Sequence, residues 1–597
     1  MVNIKKDDAV YHEKWGWGMV HDLKNTSDPD NTMATVIFDN APLTKKGEKE
    51  KRAIHISSLI KRQRRNDDLF AGNPIKGWSA RIDELVKRDM IIDEERKGLK
   101  ALIHSPDTEN AVVAEEIVKL KIEDVLRDGL NNCQINAFNS LVDYIQDDTN
   151  EYDGFVLKGY AGTGKTYLIG RIIQYIMASY PSNRIAVTAP TNKAVRVAAT
   201  KSPYIAYEHL KLDDTNNAKA KIKYATIHAL LGLKQQIDDK GNQTWKPDTL
   251  NRPEITNYKV LIVDEVSMLD DELCELILQN KKLKIIFMGD PAQIPPVGRP
   301  DCIPFKDESD YNFRRAVLEE IMRQKEDNSI IEQSFVIRKN LKVNNPINDI
   351  KTNINSDGHG VIRINYNTEK DKVIPLLRKY FVNDNFRDDA DYMKVIGWRN
   401  VKVNYYNSLV RSLLYGENSE RFEIGEKLIA NTPIFKLQKL GRQGDTYILE
   451  HPTSTEFHIK GIELETKTFK EGVFKLTCTV YTLEVYYSNT IGEQKIDRIT
   501  VIHEDEQEWY QRIINQAKYA AMKSKQAKDW VIYYNILKWS ADIGYNYAIT
   551  AHKAQGSTYN NTLLLEYDID VNTNVVERNR IKYTAYTRAS EKLFILK

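Results

Sequence analysis

Residues 154–167 read GFVLKGYAGTGKTY, and the spacing G-x-x-x-x-G-K-T runs from Gly159 through Gly164, Lys165 and Thr166. GFVL is short and apolar, as a buried strand requires, and LIGRIIQYIMASY (168–180) repeats its apolar residues at helical spacing. Strand, glycine-rich loop and helix in that order form a phosphate-binding loop. Glycines let backbone N–H groups turn inward around phosphate oxygens, and the helix N-terminus adds partial positive charge. Gly159, Gly162, Thr163 and Gly164 would form the cradle, Lys165 would reach the β- and γ-phosphates, and Thr166 would offer its hydroxyl to Mg²⁺. A glycine-rich turn that merely joins strand to helix has no need of Gly, Gly, Lys and Thr in that register.

A chain of 597 residues suggests about four domains at roughly 150 residues each. The composition is 41% hydrophobic and 28% charged, with no apolar run long enough to cross a bilayer and no N-terminal signal-peptide pattern, so a soluble, cytoplasmic protein without membrane contact is expected. Cys133, Cys274, Cys302 and Cys478 are far apart, which indicates neither a zinc site nor a disulfide framework. A net charge of +2 excludes a globally basic nucleic-acid binder but leaves room for a local groove. The densest basic run, KRQRR (61–65), reads equally well as a solvated linker.

The pattern along the chain predicts an α/β protein. Residues 1–62 alternate short apolar pieces with turns, as a small β-barrel does; Trp15, Trp17 and Phe38 are either its core or a binding face, and core is favoured. Residues 63–125 hold a polar linker and then a helical pattern. From 126 to 320 short strands alternate with helices, which implies parallel βαβ units, and LLGLKQQIDDKGNQTWKPD (230–248) reads as a hairpin with Asp239 to Asn242 as its turn. A second α/β region spans 321–597, with KVIGWRN (394–400) as one strand and a β-rich insertion at about 424–540 that ends in helical sequence.

A phosphate loop alone leaves kinases, GTPases and motors open, so the neighbouring motifs decide. KVLIVDEVSML (259–269) is an apolar strand ending in Asp264, suited to Mg²⁺, and Glu265, suited to act as general base for an attacking water. IIFMGDPAQIPPVG (285–298) is a further strand and a proline-stiffened loop, in which Gln293 would feel a γ-phosphate and Asp290 would relay its presence.

In this order the motifs resemble those of superfamily 1 helicases, specifically the RecD/Dda-like subgroup, from about residue 130 to 597. The resemblance implies two RecA-like domains, ATP and Mg²⁺ as cofactors, and 5′-to-3′ translocation on single-stranded DNA with unwinding at forks. NNCQINAF matches the family's adenine-recognising segment at Gln134; EIMRQ and YTAYTRA supply Arg323 and Arg588 as arginines that complete the ATP site from the second lobe. TAPTNKAV (188–195), TIHALLG (226–232) and TAHKAQGST (550–558) match DNA-contacting motifs, so Pro190, Thr191, Asn192, Lys193, Thr226, His228, His552 and Lys553 become candidate DNA ligands; for His228 a core position is nearly as well supported. SDGHGV (356–361) points further to the Dda branch, and with it to a phage or mobile-element source. The hairpin at 230–248 resembles the family's strand-separating pin and the β-rich insertion its SH3-like brace, while residues 1–62 resemble Tudor or SH3-like barrels that would recruit a protein partner. Family members commonly act as monomers.

Two other functions remain open at this stage. One is an RNA-directed relative, since superfamily 1 also contains RNA helicases; the other is a nucleotide-gated binding protein, weakened by the presence of Glu265, Gln293, Arg323 and Arg588 together.

Overall fold

The structure is a computed structural model. From residue 118 on it describes the chain except for 125, 150, 181–182, 202–221, 248–251, 297–300, 321–327, 348–351, 440–444 and 490–492; before that it describes residue 97 and, by backbone alone, five strands between 9 and 61. Trp15, the side chains of Trp17 and Phe38, the basic run at 61–65, the linker, most of the helical pattern before 118, and Arg323 lie outside the described residues.

The chain divides into two compact units. The first comprises 1–142, 166–184 and 201–221. Its strands β1 (Ala9–His12), β2 (Gly16–Lys24), β3 (Met33–Phe38), β4 (Lys51–His55) and β5 (Ile60–Lys61) form an antiparallel sheet of order β4-β3-β2-β1-β5. Arg171 is buried in this unit, where its guanidinium donates to the Asp128 carbonyl at 3.1 Å and the Tyr167 hydroxyl at 2.7 Å. Gln134 and Asn131 cap a helix start reciprocally: the Gln134 N–H donates to Asn131 Oδ1 at 2.8 Å and Gln134 Oε1 accepts from the Asn131 N–H at 3.2 Å.

The second unit comprises 143–165, 185–200 and 222–597. It contains β6 (Gly154–Gly159), β7 (Ile185–Ala189), β8 (Ile222–Thr226), a hairpin of β9 (Leu233–Ile237) and β10 (Gln243–Pro247), and β11 (Val260–Val263), β12 (Lys284–Gly289) and β13 (Phe313–Leu318). Apart from the hairpin these make a six-stranded, wholly parallel sheet of order β13-β6-β12-β11-β7-β8. IAVTA and VLIV are buried at every position, the continuous apolar pattern of strands covered on both faces.

A second sheet, β14-β15-β26-β25-β16-β24, holds β14 (Asn353–Ile354), β15 (Gly360–Ile364), β16 (Met393–Gly397), β24 (Ala548–Thr550), β25 (Tyr559–Leu565) and β26 (Ala589–Leu596). Its strands alternate between two cores: Leu593 and Ile595 pack with helix Ser329–Lys339 and helix Val575–Tyr586, while Phe594 and Leu596 pack on the other face with helix Asn400–Tyr415. Between β16 and β24 the chain builds a further sheet, β22-β21-β20-β17-β23, from β17 (Lys427–Ala430), β20 (Glu456–Glu471), β21 (Phe474–Ser488), β22 (Gln494–Ile502) and β23 (Ile543–Tyr545), and a separate antiparallel pair of β18 (Ile434–Lys439) and β19 (Asp445–His451). β20 and β21 turn at Gly472, whose φ of +56° suits glycine. Helix Gln507–Ser524 packs on β21, and helix Ala527–Leu537 follows it. The α/β class with parallel sheets is as the sequence predicts.

Candidate functional site

Lys165, Asp264, Glu265, Asp290 and Gln293 follow the C-terminal ends of the parallel strands β6, β11 and β12, where loops are free to present side chains and ligands of open α/β sheets bind. At the end of β6, Gly162 and Gly164 have φ of +84° and +78°, and a Cβ on Gly159 would meet Thr163 Oγ1 and Lys165 Cγ at 2.9 Å. The loop therefore demands its glycines. The Lys165 ammonium donates to the carbonyls of Gly159 at 2.8 Å and Tyr160 at 2.9 Å. Burial holds its pKa below the usual lysine value, against the pull of Asp290, Glu265 and Asp264 nearby. Lys165 opens helix Lys165–Ser179, and Thr166 is its second residue.

At the end of β11 the Asp264 N–H donates to the Thr188 carbonyl of β7 at 2.8 Å, and Asp264 Oδ1 accepts the Glu265 N–H at 2.8 Å. Glu265 adopts the left-handed conformation (φ 51°, ψ 41°), which costs a non-glycine residue about 1–2 kcal/mol. At the end of β12, Asp290 is fully buried.

The second lobe meets these loops with groups that its late motifs carry. Gln555 Nε2 donates both to Ser267 Oγ at 3.0 Å and to Gln293 Oε1 at 3.1 Å, so HKAQG, DEVSM and GDPAQ converge on one amide. The Tyr583 hydroxyl donates to Asp290 Oδ2 at 2.6 Å and accepts from the Ala161 N–H of the phosphate loop at 3.3 Å. Burial, then Asp290, push the Tyr583 phenol far up, which keeps it protonated. Arg588 is buried and held by carbonyls, donating to Thr584 O at 2.9 Å and Ser557 O at 3.0 Å; burial lowers its pKa, against the pull of Glu265. Sequence reasoning did not single out Gln555, Ser267, Tyr583 or Arg338; the first three stand inside quoted motifs, and Arg338 carries no local signal.

The candidate DNA residues occupy neighbouring strand ends. Ala189 of β7 and Thr226 of β8 are register partners, which sets Pro190 to Lys193 beside Thr226 and His228; Gly397 of β16 and Thr550 of β24 are partners beside His552 and Lys553. Thr191 and Thr226 accept the N–H groups of Ala194 at 3.2 Å and Ala229 at 3.4 Å, and Asn192 opens helix Asn192–Lys201. His228 is half-buried with its ring edge on Trp245, 4.8 Å between centroids, so it is not a core histidine; Trp245 itself is 45% exposed and is not core either. Burial lowers the pKa of His228 and of His552, so at neutral pH neither supplies charge to a phosphate.

Lys193 departs from a simple phosphate contact. Its ammonium is almost completely buried, donating to Glu456 Oε1 of β20 at 2.9 Å and to the Tyr559 hydroxyl at 3.4 Å, with Arg196 at 3.5 Å from the other Glu456 oxygen. Burial opposes both charges, yet Glu456 holds Lys193 above its usual pKa, and Lys193 with Lys394 holds Glu456 below its own. Lys394, buried beside them, is pushed down to about 8. The pair ties the first lobe to the inserted sheet. Glu456→Ala leaves buried cations without their anion and is expected to cost about 3–5 kcal/mol of unfolding free energy, measured by denaturant titration. Because the Glu456 pKa is depressed, its contribution is complete above the ordinary carboxylate range and fades as pH falls below it.

The hairpin β9–β10 ends in a tight loop: Asp238 Oδ1 accepts the N–H groups of Lys240 at 2.9 Å and Asn242 at 2.7 Å. Helix Ala527–Leu537 grips this tip. The Trp530 indole N–H donates to the Asp239 carbonyl at 3.1 Å, the Tyr534 hydroxyl to the Gly241 carbonyl at 2.7 Å, and the Ala527 N–H to Asp239 Oδ1 at 3.1 Å. A Cβ on Gly241 would lie 2.6 Å from the Trp530 ring. The insertion thus braces the hairpin through its helical end.

Residues 145–299 match the AAA domain family and residues 545–596 the UvrD-like helicase C-terminal domain. The ATP-dependent DNA helicase dda of Enterobacteria phage T4 is 26% identical over 72% of this chain and 90% of its own length. The RecBCD enzyme subunit RecD of Buchnera aphidicola is 24% identical over 74% of this chain and 69% of its own. Among solved structures, Bacteroides Pif1 helicase in complex with ADP-AlF3 and ssDNA aligns over 77% of this chain and 91% of its own, at 16% identity and a TM-score of 0.39. Among the described residues no helix is long and apolar enough to cross a membrane. The two domain matches fall at the two ends of the series formed by the phosphate loop, DEVSM, GDPAQ, HKAQG and YTAYTRA, and over most of its length the chain is similar to the helicases dda and RecD.

Proposed function

We propose that this chain is an ATP-driven motor that moves 5′-to-3′ on single-stranded DNA and opens duplexes ahead of it. The observation that carries this reading is the Gln555 amide: a residue of the motif that follows β24, in the second lobe, hydrogen-bonds both Ser267 and Gln293 beside the nucleotide loops. Change at the nucleotide is thereby coupled to the segment that carries His552 and Lys553.

In this reading Lys165 and the loop N–H groups hold the phosphates, Glu265 orients and deprotonates the attacking water, Gln293 reads the γ-phosphate, and Arg588 and Arg323 neutralise the charge that develops on it. Gln134 would face the adenine. Thr166 and Asp264, both hard oxygen donors, would hold Mg²⁺, whose charge screens the β- and γ-phosphates. Pro190 to Asn192, Thr226, His228, His552 and Lys553 line the path of the strand, with contacts to backbone and stacked bases that are independent of sequence, while Lys193 holds the lobe to Glu456 behind them. The sheet before residue 62 is the candidate dock for a protein partner, and the motor acts as a monomer.

The hairpin β9–β10 serves as the pin. Trp530→Ala removes the indole on which Gly241 rests, and is expected to lower duplex unwinding by about tenfold while single-strand-stimulated ATPase stays within about twofold, read in parallel strand-displacement and phosphate-release assays. The reading as a whole is tested by ATP hydrolysis with DNA or RNA single strands of one sequence. Stimulation by DNA supports it, stimulation by RNA alone would assign an RNA-directed motor, and negligible turnover with either would leave a nucleotide-gated binder.

A further inference from the structure

Arg338 lies in the stretch SFVIRKN (334–340) on helix Ser329–Lys339, whose Ile330 and Ile337 are fixed in the core of the second lobe. Its guanidinium crosses to the first lobe. There it pairs with Asp290 Oδ1 at 3.0 Å, with its side chain 14% exposed and Asp290 fully buried. It also stacks over the ring of Tyr160, 3.7 Å from guanidinium carbon to centroid, and Tyr160 is the residue that follows Gly159 in the phosphate loop. The Tyr583 ring centroid is 5.9 Å away.

Three features make this more than an ordinary lobe contact. The Asp290 carboxylate is shared among three donors, because Oδ1 also takes the Ala292 N–H at 3.0 Å and Oδ2 takes the Tyr583 hydroxyl at 2.6 Å. Arg338 Nε is buried with no hydrogen-bond partner, which leaves donor capacity inside a closed space. The positive charge of Arg338 is felt at the Lys165 ammonium, so the two cations share the same phosphate-facing region. A guanidinium fixed to one lobe, stacked on the phosphate loop of the other and holding an unused donor is arranged to take a phosphoryl oxygen.

We propose that Arg338 is a γ-phosphate-reading residue supplied by the second lobe, which binds ATP through its terminal phosphoryl group and leaves ADP unrecognised. This rests on the ATP-driven reading above. When the terminal phosphate is present, the fork divides between Asp290 and that phosphate and draws the second lobe onto the loop; with ADP only the Asp290 pair remains. Arg338 therefore separates the two nucleotides by lobe closure, in addition to whatever Arg588 contributes to the chemical step.

The test measures binding of a non-hydrolysable ATP analogue and of ADP, each with Mg²⁺, to the full chain and to Arg338→Gln. The expected result is a loss of about tenfold or more for the analogue with ADP affinity within about twofold, together with a fall in DNA-stimulated kcat on the order of 10²-fold. Equal losses for both nucleotides, or no loss for either, overturn the proposal. Arg338→Lys keeps charge and length without the fork and guards against a folding defect: its ATP-over-ADP preference should fall by about threefold or more, and an unchanged preference also overturns it. An unsubstituted chain that hydrolyses no ATP with any nucleic acid would instead remove the ATP-driven reading, independently of how Arg338 behaves.

Discussion

Lys165→Ala is expected to abolish DNA-stimulated ATP hydrolysis, a fall of about 10³-fold or more in kcat/KM, in a steady-state phosphate-release assay. The expectation follows from what surrounds the ammonium. It is buried between the carbonyls of Gly159 and Tyr160, with Asp264, Glu265 and Asp290 nearby, and no other lysine occupies the loop. Removing it leaves the cradle's N–H groups in place, since Gly159, Gly162 and Gly164 set the backbone path by themselves. Nucleotide binding should therefore weaken less than turnover. A variant that retains more than a tenth of the turnover would show that the phosphates lie elsewhere.

Arg588→Ala is expected to lower kcat by about 10³-fold while KM for ATP changes by less than about tenfold, because a guanidinium acting on charge that develops in the transition state contributes little to ground-state binding. Its Nε and Nη1 are occupied by the carbonyls of Thr584 and Ser557, which fix the group relative to the helix that ends at Tyr586 and to the loop before Tyr559. Arg588→Lys cannot reproduce that two-point hold and should be nearly as impaired as Arg588→Ala. A kcat within tenfold of the unsubstituted chain would reduce Arg588 to a structural tie between helix and loop.

The parts legible in sequence were those whose logic is local. Strand, loop and helix around Lys165 announce themselves through glycine spacing and apolar runs, DEVSM follows a strand buried at every position, and GDPAQ lies at the end of one buried at all but its first residue. The second sheet was legible for the same reason, since TLLL (562–565) and LFIL (593–596) are the apolar ends of β25 and β26. What stayed hidden depends on partners far apart in the chain. Lys193 sits in a motif that suggests a phosphate contact, and nothing near it announces Glu456, 263 residues away. Tyr583 finds Asp290 across 293 positions, and Gln555 finds Ser267 across 288. The hairpin turn was readable from Asp, Lys, Gly and Asn, whereas its grip by Trp530 and Tyr534 was not, because an amphipathic helix does not state which surface it will meet.

Movement in one direction is tested by strand displacement with ATP and Mg²⁺ on matched DNA duplexes that carry either a 5′ or a 3′ single-strand tail, with Lys165→Ala as the control. The expected result is opening of the 5′-tailed duplex alone, lost in the control. Equal opening of both tails, or opening of the 3′-tailed duplex alone, would contradict it.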